Sequence, residues 1–394
     1  MHRKFVIPFL LIFSLALFAC SLSISTAPKA LPTDTMIIPA VVTATPVTPM
    51  DTATNTPSST TAPTATIATA TASPAPSVTL TPTPTKTVAP LPNPTTNYYV
   101  DDRSTPSQVI VSLYNAINRK EYLRAYNYWR DPATTLGSFN SYANGYQDTA
   151  SVSLVFGQIT GDAGMSQVYY TIPVILKATA RNGTHTNYAA CYVVHETSPD
   201  VYGAPPFAPM GIESGSATIA NIKASDASIL STACNGIPSG PMQVPVTGES
   251  LSIDKSNFLD NRSGPIETVS SFLNALNRKQ YVRAYSYYQN PATYPGAYGP
   301  YAAGYADTDV ITATFGTVQS EGAAGSLYYK VPLAMKVLTT TNTTQTFVGC
   351  YTLHLAQPAG QYAPPFQPMG ITAGNFNIVG NNVDVNPLLA AACR

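Results

Sequence analysis

The apolar positions of this chain change period in a fixed order, and they do so twice. Ile110, Leu113, Tyr114 and Ile117 fall at i, i+3, i+4 and i+7, which predicts a helix packed along one stripe. Thr105-Pro106-Ser107-Gln108 stands before it and offers an N-cap, a proline at the first helical position and a capping-box glutamine. A second stripe follows at Tyr122, Ala125, Tyr126 and Trp129, and a shorter third at Phe139, Tyr142, Ala143 and Tyr146. The period then drops to two. Val152, Leu154 and Phe156 alternate, then Val168, Tyr170, Ile172, Val174 and Leu176, then Tyr188, Ala190, Tyr192 and Val194. Alternation of this kind predicts strands with one packed and one wetter face, as in an antiparallel sheet. A fourth strand is expected around Ala217 to Asn221, and a last helical turn reaches Cys234. Helices first and a strand meander afterwards give an α+β fold.

The whole pattern recurs at an offset of 159 residues, without a break in register. AINRKEYLRAYNYW (Ala116 to Trp129) returns as ALNRKQYVRAYSYY (Ala275 to Tyr288), and Cys191, His195, Pro205 and Cys234 return as Cys350, His354, Pro364 and Cys393. A unit of about 130 residues buries most of its own surface, so two complete domains are expected, at 98–234 and 257–394, joined by a linker at 235–256.

The octapeptide PPFAPMGI (Pro205 to Ile212) returns as PPFQPMGI (Pro364 to Ile371). Its prolines lack ladder donors, so it is expected to connect the third and fourth long strands in extended polyproline geometry. Phe207, Met210, Phe366 and Met369 would peg it down as a structural joint; a lid or docking loop is the alternative.

The helix phrase NRKEYLRAYNY (118–128), its counterpart NRKQYVRAYSY (277–287), the Gly-Tyr-x-Asp-Thr step at 145–149 and 304–308, and the element order together resemble the nuclear transport factor two-like superfamily. The resemblance covers both repeats. It implies, in each, a cone in which a curved antiparallel sheet wraps the N-terminal helices. It also implies that any enzyme chemistry, of isomerase or hydrolase type, would sit inside the cone with a carboxylate base. The cysteine pair and the proline loop depart from the usual plan of that family.

The N-terminus changes the picture of where such domains work. Arg3 and Lys4 precede an apolar run, Phe5 to Leu17, too short to span a membrane comfortably. Leu17-Phe18-Ala19-Cys20 resembles a bacterial lipobox, which implies a signal peptide at 1–20 and a lipid anchor on Cys20. Residues 21–97 form a Thr/Pro/Ala/Ser-rich tract that buries too little apolar surface to fold. As a stalk it would reach on the order of 200 Å. Cell-envelope display outside the cytoplasm follows.

Five cysteines are present. With Cys20 set aside, the remaining four suit two disulfides, Cys191–Cys234 and Cys350–Cys393, in an oxidising compartment. A metal site competes poorly, since CxxC pairs and histidine clusters are missing from the sequence. No cofactor is called for. Lys and Arg number 20, balanced by 20 Asp and Glu, which argues against nucleic acid as a partner.

Candidate chemistry is sparse. Asp148 and Asp307 are weak candidates for a base, and turn capping is the plainer role. His195 and His354 are expected on the outer strand face, in surface hydrogen bonds. Arg119, Lys120 and Arg124 are expected on a solvated face, pairing with Asp101 or the C-terminal dipole of the first helix; gripping an anionic ligand is the alternative. Tyrosine is abundant, with 25 in the chain; Tyr126, Tyr170, Tyr192, Tyr285, Tyr329 and Tyr351 are candidate walls of a ligand pocket, because each ring offers an apolar face and a hydroxyl. The leading expectation is non-enzymatic binding, of a small or glycan-like ligand or an envelope protein. The alternatives are an isomerase- or hydrolase-like enzyme and a structural spacer or protein-docking module.

Overall fold

The computed structural model describes Pro94 and residues 98–246 and 253–394. Cys20, the signal segment and, apart from Pro94, the tract read as a stalk lie outside these residues. In chain order the first half carries α1 (Pro106–Asn118), α2 (Tyr122–Tyr126), α3 (Pro132–Leu136), α4 (Phe139–Asn144), β1 (Thr149–Phe156), β2 (Ile159–Gly164), β3 (Gln167–Ala180), β4 (His185–Thr197), β5 (Gly211–Ile219), α5 (Asp226–Ala233) and β6 (Met242–Val244). The second half follows with α6 (Pro265–Asn277), α7 (Tyr281–Tyr285), α8 (Tyr298–Ala303), β7 (Thr308–Phe315), β8 (Gln319–Ala323), β9 (Ser326–Thr339), β10 (Thr344–Ala356), β11 (Gly370–Val379) and α9 (Asn386–Leu389). The chain is thus α+β with two antiparallel sheets, and the helices precede most of the strands in each half.

In the first sheet β3 pairs with β4 along one edge, and β4 with β5. The other edge of β3 is shared: β1 takes Val174 to Ala180 and β2 takes Gln167 to Thr171. Pro173 sits where one partner gives way to the other, and its carbonyl accepts from Gly157 N at 2.8 Å. A proline without a donor costs least at such a gap. The second sheet repeats this with β7 and β8 on β9 and with Gly316 N donating to Pro332 O at 2.9 Å. β2 and β8 were not foreseen, because Gly, Asp and Ser interrupt any alternation there. β6 lies within the segment read as a linker and adds a strand against β2.

α1 begins as the sequence predicts: Thr105 Oγ1 accepts from Gln108 N at 3.2 Å, with Pro106 in the first turn. At its end the Asn-Arg-Lys phrase is structural. Asn118 pairs with β1 as another strand would, accepting from Val152 N at 2.7 Å and donating to Val152 O at 2.9 Å. Asn277 does the same with Ile311. Lys120 and Lys279 take φ of 63° and 60°, left-handed values disfavoured for a residue with a Cβ. Each ammonium donates to backbone carbonyls that open the next strand, Thr149 and Ala150 or Thr308 and Asp309.

Arg124 does not lie on a solvated face. It is 1% exposed, because a full set of acceptors replaces water around it: Glu121 Oε2 at 2.7 Å, Asn115 Oδ1 at 2.8 Å and the Val100 carbonyl. Buried charge is tolerated on those terms. Arg283 is equally buried, with Gln280 in place of the glutamate.

The two faces of each sheet do different things. Even-numbered positions of the first, such as Ile172, Val174, Tyr192 and Val194, are buried with the aromatic stripes of the helices. Odd-numbered ones face away, where α5 packs on β3 and β4 and is pinned by a disulfide, Cys191–Cys234. Cys350–Cys393 pins α9 in the same way. Both pairings are those expected, and they fit an oxidising, extracytoplasmic environment. No helix among the described residues is long and apolar enough to cross a membrane.

Candidate functional site

The proline octapeptides are joints. Arg103 stacks over Tyr128 with 4.5 Å to the ring centroid and donates from Nη1 to Met210 O at 2.8 Å and from Nη2 to Asn127 O at 3.0 Å. Ile212 then bridges the tail of α2, donating to Tyr128 O and accepting from Arg130 N. Arg262, Tyr287, Met369, Ser286 and Ile371 repeat the arrangement. Met210 and Met369 are buried pegs, as is Phe366, while Phe207 is half-buried. Each loop lies between the third and fourth long strands as expected. Its first two prolines are joined by a cis peptide bond in both copies, so it departs there from extended polyproline geometry.

The same arginines lie in polar segments, Asp101-Asp102-Arg103-Ser104 and Asp260-Asn261-Arg262-Ser263, that bind the halves together about a local twofold. Asp101 N donates to Ser263 Oγ and Asp260 N to Ser104 Oγ, both at 2.9 Å. Arg103 N donates to Asp260 O at 2.7 Å and Arg262 N to Asp101 O at 2.6 Å. On the axis Asp102 bridges to Asn261, whose Nδ2 donates to Asp102 Oδ2 at 3.1 Å. Burial pushes the Asp102 carboxyl up to about 7, against the hydrogen bonds from Ser104, while Asp260 and Asp101 add repulsion.

A cleft of about 190 Å³ opens beside this joint, lined by Asp101, Asp260, Arg103, Arg262 and residues of both octapeptides, Phe207, Pro209 and Pro368. Its volume is below the ~300 Å³ at which small-molecule pockets begin. Its charges balance, and Asp101 and Asp260 already accept from Tyr128 and Tyr287 hydroxyls. That arrangement holds two halves together, and the Ser286 hydroxyl on its wall is spent on the Arg283 carbonyl at 2.7 Å.

Most of the tyrosines proposed as pocket walls are packed against other aromatic rings of their own half. Tyr192 is 1% exposed, and its hydroxyl lies 2.5 Å from that of Tyr114. Trp129 meets its ring edge-on. Tyr126 and Tyr285 are buried and donate to Gly137 O and Gly296 O at 2.6 Å. Tyr351 is held between Phe272 and Phe376. Tyr170 and Tyr329 are half-buried, and Tyr170 donates to Glu196 Oε2 at 3.1 Å. Asp148 and Asp307 are exposed; their main-chain carbonyls accept from Arg181 N and Thr340 N at 2.8 Å.

On the outward face, past the reach of α5, lies an arrangement that sequence reasoning missed. His195 stacks on Tyr169 with centroids 4.2 Å apart and planes 10° from parallel, and His354 stacks on Tyr328 at 4.7 Å and 25°. Both histidines face outward as expected, and His195 is 8% exposed. Their ring nitrogens are engaged by Glu213 and Gln167, or by Gln289 and Ser326. A bulge between Val193 and Val194 brings Glu213 to that position. Burial lowers both imidazole pKa values, with Arg130 adding to the effect at His195. Among the described residues no cluster of three or more His, Cys, Asp or Glu side chains could hold a metal.

No family model matches the chain, and no curated protein matches it.

Proposed function

We propose that this chain is a lipid-anchored cell-envelope protein that carries two non-enzymatic binding domains on a Thr/Pro-rich stalk. In this reading each half is a cone of the nuclear transport factor two-like kind, anchored through Cys20 and displayed outside the cytoplasm. The two disulfides and the export-like N-terminus support that placement. One observation carries the choice of binding over catalysis. The candidate pocket tyrosines Tyr126, Tyr192, Tyr285 and Tyr351 are buried among other rings or on backbone carbonyls, while Asp148 and Asp307 stand exposed. Recognition then belongs to the outer surface, where exposed groups recur at equivalent places in both halves.

The test is co-sedimentation of the purified full chain with isolated, delipidated cell-envelope material. Saturable binding with no chemical change in that material is the expected result. Failure to sediment above the level of an unrelated stalked protein would refute the reading. Separately, Cys20→Ser should move the expressed chain from the membrane to the soluble fraction; unchanged partitioning would exclude the anchor.

A further inference from the structure

Three strands in each half set an acid, a tyrosine and a histidine in one outward-facing row. Asp162 on β2 is the register partner of Tyr169 on β3, which is the partner of His195 on β4. Glu321 on β8, Tyr328 on β9 and His354 on β10 form the same row. Directly opposed residues of antiparallel strands share a face, so each tyrosine stands between an imidazole and a carboxylate. The imidazole covers one ring face. The other turns toward the acid, and Tyr169 and Tyr328 are each 42% exposed, among the most exposed large side chains on these strands.

The imidazole, with both nitrogens already bonded, acts as a prop. It fixes the tyrosine without competing for a ligand, so little side-chain freedom is lost on binding. What remains exposed is a flat apolar ring beside a carboxylate, which in the second row also meets Lys330. A pyranose with axial hydrogens on one face and vicinal hydroxyls at its edge complements both parts. An organic cation would also suit an aromatic face with an acid. However, Lys330 Nζ lies 3.9 Å from Glu321 Oε1 in the second row, and Thr171 holds that place in the first. A neutral polyol fits both rows, whereas a cation meets Lys330 in one of them.

We propose that the Asp162–Tyr169 and Glu321–Tyr328 platforms are two matching binding sites for a neutral polysaccharide of the envelope. This rests on the binding reading above and names its ligand class. Two sites on one chain strengthen attachment to a polymer without any new contact.

The full chain is titrated calorimetrically with cellohexaose and with chitohexaose, and in parallel with tetramethylammonium chloride. The expected result is two sites per chain for at least one oligosaccharide. Tyr169→Ala and Tyr328→Ala should each reduce the stoichiometry to one, and the double variant should bind at least about tenfold more weakly. Tyr169→Phe keeps the ring and should keep its site, and a melting curve on each variant shows that the fold persists. Absence of oligosaccharide binding, binding that the double variant retains, or tetramethylammonium as the only ligand overturns the proposal. If the double variant still sediments with envelope material, the glycan platforms fail and the broader binding reading stands. If the unaltered chain does not sediment, the reading itself fails.

Discussion

Asp102 is the buried acid on the axis between the halves, and its titration should set the pH dependence of the joint. Its carboxyl rises from 3.8 to about 7 on folding. An acid with a raised folded pKa contributes its full stability below the unfolded value, and loses it as pH rises toward the folded value, because the unfolded chain gives up the proton first. The loss therefore starts near pH 4 and is complete a little above pH 7. At about 1.4 kcal/mol per pKa unit the whole effect is about 4 kcal/mol, and a little over half of it falls between pH 5 and pH 8. Asp102→Asn removes the titration. It also sets an amide donor against Asn261 Nδ2, a pH-independent cost of ~1–3 kcal/mol. The measurement is denaturant unfolding of the full chain and of Asp102→Asn at pH 5 and pH 8. The remaining titratable groups, His195, His354 and Glu196 among them, are present in both proteins and cancel in the difference. From pH 5 to pH 8 the stability difference should shift against the unaltered chain by about 2–3 kcal/mol. Parallel pH profiles would refute the reasoning.

Other consequences can be checked with the same full chain. Replacing Cys191 and Cys234 together by alanine, or Cys350 and Cys393, opens a 43-residue separation and should lower stability by about 4 kcal/mol in the chain-entropy model, read as a fall in the denaturation midpoint. Arg103→Ala frees the Met210 carbonyl and should raise hydrogen exchange at Gly211 and Ile212 by at least about tenfold while Gly370 and Ile371 stay protected; equal change in both loops would deny the local role. Tyr301 has a buried hydroxyl with no hydrogen-bond partner, so Tyr301→Phe should be neutral or stabilising by about 1 kcal/mol. Tyr287→Phe deprives Asp260 of a donor at 2.7 Å and should cost about 1.5–3 kcal/mol in the same melts.

The sequence showed most clearly what is periodic. The three helical stripes, the long alternating strands, the 159-residue register and the cysteine pairs all rest on spacing, and spacing survives without neighbours. What it hid depends on partners. Arg124 and Arg283 look like surface charge until Asn115, Asn274 and main-chain carbonyls are seen to surround them. Asp101 to Ser104 reads as a polar lead-in to a helix; only its antiparallel meeting with Asp260 to Ser263 turns it into a joint. β2 and β8 are short, rich in glycine and polar side chains, and have no alternation to find. The acid–tyrosine–histidine rows were invisible for the same reason, since their members come from strands brought side by side only by sheet register.

Symmetry at the joint also explains its one asymmetric residue. Two identical halves about a twofold would set equivalent side chains face to face at position 102 or 261. A pair of aspartates there would confront two buried carboxylates, and a pair of asparagines would force two amide donors or two carbonyls together. Asp102 opposite Asn261 gives one acceptor and one donor, met at 3.1 Å, which only two different halves can supply. Asymmetry on the axis thus favours one half of the chain pairing with the other. The faces that point away from the axis are free of this constraint, and there the same acid, tyrosine and histidine types recur in both halves.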